Sequence, residues 1–140
     1  MSGLGLQANF TLMSGGLESG QDAYLDGKPF QGMSRTAYTL TGLYEKNGWS
    51  GRVAYNWRSK FTDTYNAGTI NGSSYDLIVK PISAMDASLA YQINPALSVA
   101  LEGNNLLNFK YQDYFSNPTI TPRDTRYYDR TLRIGMHLKF

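Results

Sequence analysis

His137 is the only histidine of the chain, and there is no cysteine. A serine hydrolase needs a serine, a histidine and an orienting aspartate or asparagine, so any such triad would have to be built on His137. It lies between Met136 and Leu138 in a run whose apolar and polar residues alternate, and it falls on the polar side. A lone histidine in that setting reads as part of a wetted wall rather than as a base or a ligand. No enzyme and no cofactor are expected, and without thiolates neither a disulfide framework nor a thiolate metal site can form. The remaining polar chemistry is binding chemistry. Arg35, Arg52, Arg58, Lys60, Asp86, Glu102, Arg133 and Lys139 share the polar side of alternating runs and could meet a passing ligand. Tyr24, Phe30, Tyr65, Tyr75, Phe109, Tyr111, Tyr114 and Phe115 fall in polar connecting segments, where rings could stack on a sugar or a chelate. The plainer reading of both sets is a hydrated wall with cross-strand ion pairs and rings packed within long loops. Arg52, Arg58, Glu102, Tyr65, Tyr111 and Tyr114 are the ligand-contact candidates.

The elements that would position these residues are strands. From Leu132 to Phe140 every second residue is large and apolar, the period of a strand with one greasy and one wet face. Six such runs can be read, at residues 3–13, 35–45, 49–61, 83–93, 96–104 and 130–140. In the third, Trp49, Gly51, Val53, Tyr55, Trp57 and Phe61 oppose Ser50, Arg52, Ala54, Asn56, Arg58 and Lys60. Each run has about the 9–11 residues that a tilted strand needs to cross a bilayer. Lys46-Asn47-Gly48 and Asn94-Pro95 are short-turn signals. The polar segments 14–34, 62–82 and 105–126 are expected to be long loops. Long loops are uncommon in compact domains, but short turns at one end and long loops at the other are the habit of outer-membrane barrels.

Charge placement agrees. A one-residue slip of the third strand would turn Arg52, Arg58 and Lys60 toward lipid, at about 2–4 kcal/mol each at midplane and about 0–1 near the interface. Arg130 shares parity with Leu132 but lies at the outer rim, where a cation can meet lipid phosphates. The formal charge of +2 is too small, and the basic residues too scattered, to argue for nucleic acid, and no such partner is expected. No run of 18 apolar residues exists, so a transmembrane helix is excluded. Half-apolar strands are compatible with the mean hydropathy of −0.39, and 14% aromatics with eleven tyrosines would suit interfacial girdles. The first residues, Met1 to Leu6, lack the basic and long apolar regions of a signal peptide.

Three segments carry a family resemblance. Leu101-Glu102-Gly103-Asn104-Asn105-Leu106-Leu107-Asn108 followed by Lys110-Tyr111 resembles the penultimate-strand signature of TonB-dependent outer-membrane receptors. The stretch from Tyr128 to Phe140 resembles the end of that family, with Asp129-Arg130 in place of the more usual Gly-Arg. The stretch from Tyr44 to Lys60 resembles one of its hairpins, most closely in proteobacterial members that take up carbohydrates. The likeness extends over essentially all 140 residues.

The resemblance implies a 22-strand barrel, a plug domain inside it and a TonB-engaging box. The expected fold is therefore all-β, an antiparallel up-and-down meander of six strands over residues 1–140. It would form the C-terminal arc of a transmembrane barrel, with plug and N-terminal strands absent. The implied function is a share in energised uptake of a scarce ligand, an oligosaccharide or an iron chelate, across the bacterial cell outer membrane. The piece would not be active alone. Implied partners are outer-membrane lipid, the missing strands and plug, TonB only through the absent N-terminal region, and the barrel-insertion machinery through Phe140. In a bacterial surface protein the glycosylation patterns at Asn9 and Asn71 carry no weight. Two alternatives remain open: a pore or binding barrel assembled from several copies, and a soluble barrel whose apolar side faces inward.

Overall fold

The computed structural model describes residues 3–18, 20, 22–117 and 119–139, with the side chain of Ile70 left out. Ten strands and no helix make up the described residues: β1 (Leu4–Leu12), β2 (Thr36–Lys46), β3 (Trp49–Arg58), β4 (Phe61–Ile70), β5 (Ser73–Val79), β6 (Ile82–Asn94), β7 (Leu97–Asn104), β8 (Lys110–Phe115), β9 (Pro122–Tyr127) and β10 (Thr131–Leu138). They form two open antiparallel sheets, β1-β2-β3-β6-β7-β10 and β4-β5-β8-β9. The six alternating runs of the sequence are the six strands of the first sheet, each shorter or longer by a few residues. The third ends at Arg58 rather than Phe61.

The single six-strand meander is corrected by the second sheet. Residues 62–82 and 105–126, expected as loops, contain β4, β5, β8 and β9. β4 and β5 prolong the hairpin of β3 and β6: the register that sets Arg58 opposite Ile82 also sets Phe61 opposite Val79. Between them lies a seam at residues 59–60 and 80–81. Pro81 has no N–H to give to a ladder, and the Lys80 N–H instead bonds to Gln112 on β8. The hairpin tip is Asn71-Gly72, with φ of 50° and 78°. Two consecutive positive φ angles make the two-residue turn that matches strand twist. Asn47-Gly48 does the same at the opposite end, with φ of 53° and 81°. The outer strands escape a reading by alternation because their apolar contrast is short and interrupted by polar runs, for example Thr62-Asp63-Thr64 and Ser73-Ser74.

In the first sheet, register places the apolar residues on one face. One cross-strand row runs Leu6, Gly42, Val53, Ala87, Gly103, Leu132, and the next runs Leu4, Tyr44, Gly51, Leu89, Leu101, Ile134. This face is bare: Leu6 is 83% and Ile134 82% exposed. Leu89 and Leu101 are also exposed, so no closed interior gathers them. Aromatic rings bracket the face. Trp49 and Tyr91 meet at 4.5 Å beside the short turn, while Tyr38 lies 5.2 Å from Trp57 and 6.0 Å from Tyr55 near the loops. From Trp49 to Trp57 the chain advances about 26 Å, roughly 20 Å along a normal tilted by 40°. That is close to the height of an apolar band between two girdles. The tightly buried residues lie mostly in the second sheet: Val79, Leu77, Tyr65, Tyr114 and Asp113.

Candidate functional site

The polar face of the first sheet aligns Arg52, Ser88, Glu102 and Arg133 in one row. Among the described residues none of these three charges takes part in an ion pair; the pairs found join Lys28 to Asp76, Arg123 to Asp113 and Arg126 to Asp124. Arg52, Glu102 and Arg133 are all exposed, so their charges are free to meet a solute. Asp86 on the same face accepts the Asn105 N–H at 2.9 Å, which starts the bend after β7. His137 stands directly across from Ser98, whose other neighbour is Gln92. That row holds no carboxylate to orient the imidazole.

Above the bare face, residues 29–34 are strapped onto β3 and β4. Arg58 Nε donates to Ser34 Oγ at 2.7 Å and Nη2 to the Gly32 carbonyl at 2.6 Å, with the guanidinium 4.1 Å from the Phe61 ring. Ser34, itself buried, donates to the Ser59 carbonyl at 2.7 Å. The Gly32 N–H reaches the Thr62 carbonyl at 2.8 Å, and the Tyr65 hydroxyl the Pro29 carbonyl at 2.6 Å. Arg58, a ligand-contact candidate from the sequence, thus uses its Nε and Nη2 to hold a loop.

A second tie centres on Asp76 of β5. Its carboxylate accepts the Tyr24 hydroxyl at 2.5 Å, Lys28 Nζ at 3.2 Å and the Asn66 N–H at 3.2 Å. Its backbone exchanges bonds with Ser116 next to β8. The Lys28 ammonium also lies 3.1 Å from the centre of the Tyr24 ring and 4.8 Å from that of Tyr65. Burial pushes the Asp76 carboxyl up, but Tyr24, the Asn66 N–H and Lys28 outweigh it and hold the group below the usual carboxylate range. Burial likewise pulls Lys28 down, and its bonds to Tyr24 and Asp76 more than offset that, leaving it raised. Neither Lys28 nor Asp76 stands out in the sequence. They are separated by 48 residues and carry no motif.

The other candidates divide by burial. Tyr65 and Tyr114 are 8% and 5% exposed and pack the outer sheet. Burial raises the Tyr114 hydroxyl. Tyr111 on β8 is half-buried, its ring 5.4 Å from the Arg126 guanidinium. Burial raises its hydroxyl first, with Asp63 and Asp113 adding to the shift and Arg126 and Arg123 opposing it. Asp113 is 3% exposed, with one oxygen 3.2 Å from Arg123 Nη1 and the other without a hydrogen-bond partner among the described residues. Phe140, expected as an assembly signal, lies outside the described residues.

A family model described as TonB dependent receptor-like, beta-barrel, matches residues 2–106. The chain belongs to this family. TonB-dependent receptor barrels are outer-membrane receptors and transporters rather than enzymes, so the bare apolar strands and the loop layer have an established context. The match takes in β1 to β7 and ends at Leu106, inside the Gly103–Leu107 stretch. No curated protein and no solved structure matches the chain.

Proposed function

We propose that this chain is the C-terminal arc of a TonB-dependent receptor barrel in the bacterial outer membrane, the intact 22-strand protein taking up a scarce ligand with energy relayed by TonB. The observation that carries the proposal is the bare apolar face between two aromatic clusters, topped by a strapped loop layer. In this reading the apolar face meets lipid, and Arg52, Glu102 and Tyr111 are the candidates left to face ligand or plug. An oligosaccharide and an iron chelate both fit such donors and rings. Single-chain bacterial barrels begin at eight strands, and this sheet leaves β1 and β10 without outer neighbours. Open edges in hydrocarbon cost several kcal/mol per unsatisfied group. The arc therefore needs further strands and a plug to transport anything.

The test uses the two tryptophans, Trp49 and Trp57. With the chain refolded into vesicles, lipids brominated along the acyl chain are expected to quench both. Fluorescence untouched by bromolipid and quenched by aqueous iodide would remove the reading. The two open edges also suit the second reading, in which several copies pool their sheets. Cysteines at Asn9 and Arg133 would then crosslink copies through β1 and β10, whereas an arc completed by other sequence gives no such ladder of multimers.

A further inference from the structure

Beneath the strapped residues lies a cavity of about 570 Å³, between residues 13–15 and 29–36 and the seam that separates β3 from β4. Met13, Met33, Phe61 and Ile78 supply apolar walls, and Arg35 and Lys60 supply charge. Among the described residues no acidic residue lines it and neither cation is in an ion pair. Arg58, the nearest arginine along β3, commits its Nε and Nη2 to Ser34 and Gly32. The cavity is thus greasy, carries two positive charges and is held open by bonds that do not use those charges. Concave apolar sites with a few polar groups are the usual form of a small-molecule site, and a guanidinium and an ammonium in one lining favour anions.

The geometry points to a binding site for a small amphipathic anion, one in which a carboxylate or phosphate is joined to an aromatic or aliphatic body. This rests on the reading above that the loop layer faces the outer medium, and it gives the ligand of that layer a charge. The anionic group sits between Arg35 and Lys60 while the body lies against Phe61 and the methionines. A neutral sugar leaves both cations without a partner and binds poorly.

The experiment takes the full chain refolded in detergent and titrates it with phenyl phosphate and, separately, with neutral phenyl glucoside. Phenyl phosphate is expected to bind at least tenfold more tightly, and its affinity to fall as salt is added. Arg35→Gln or Lys60→Gln should each weaken it about tenfold, and the double variant about a hundredfold, while Arg130→Gln leaves it unchanged. Equal binding of the two probes, or phosphate binding that survives the double variant, overturns the site. Bromolipid quenching of Trp49 and Trp57 in the double variant verifies that it still folds. A chain that enters bilayers but ignores phenyl phosphate loses only this site. One that binds phenyl phosphate while its tryptophans stay in water keeps the site and loses the membrane reading.

Discussion

Asp76 shows how one side chain can organise a loop layer. Its carboxylate takes donors from residues 24, 28 and 66, and its backbone bonds to residue 116. Because its folded pKa is depressed, the stability it adds is fully present above the unfolded value of about 3.9 and is lost as pH falls through the lower folded value. Acidification through the depressed folded value of Asp76, below the ordinary carboxylate range, is therefore expected to release residues 22–28, read as a greater loss of amide protection there than in β3. Asp76→Asn should cost about 1–3 kcal/mol of local stability at neutral pH and flatten that acid response. Unchanged exchange across the range would deny Asp76 this role. None of this was legible in the sequence, since an isolated Asp in a polar stretch gives no hint of partners so far along the chain. The charges of the polar face were legible by parity, and register keeps Arg52, Glu102 and Arg133 on one row. What parity missed is that Arg58, on the same face, turns to hold Ser34 and Gly32.

At the scale of strands, legibility followed the solvent. Strands with one greasy and one wet face betray themselves by alternation, and all six of those were read. β4, β5, β8 and β9 carry too short a contrast to be read this way, and Asn71-Gly72, whose glycosylation pattern carries no weight, is the tip of a hairpin. Two cues were available: the Asn-Gly pair itself, and Pro81 as the break before β6. The tip is also the place to test the hairpin. A Cβ at residue 72 would meet no atom within 4 Å, so Gly72→Val is strained by its φ of 78° alone. It should cost about 1–2 kcal/mol and raise exchange in β4 and β5 while β3 and β6 keep theirs. Equal loosening of all four strands would mean that the seam does not separate the two layers.

For the whole molecule the decisive quantity is the uncovered apolar face. Fully covering Leu6, Phe10, Ile134 and Met136 alone would yield about 6–12 kcal/mol, comparable with the entire stability of a typical domain. A sheet that forgoes this in water cannot persist there as a lone molecule. Expressed by itself without lipid or detergent, the chain is expected to aggregate or collect in inclusion bodies. A monodisperse monomer in plain buffer, seen by light scattering, would contradict both the outward-facing belt and the reading built on it.

The seam has an evolutionary consequence. Where Lys80 turns its amide sideways to β8, the ladder below is left complete without reference to what is built above. Residues 61–79 can then be lengthened, trimmed or replaced by another hairpin of like pairing while the lower staves keep their alignment. A barrel wall jointed in this way can diversify its outer surface without renegotiating its fit to the bilayer.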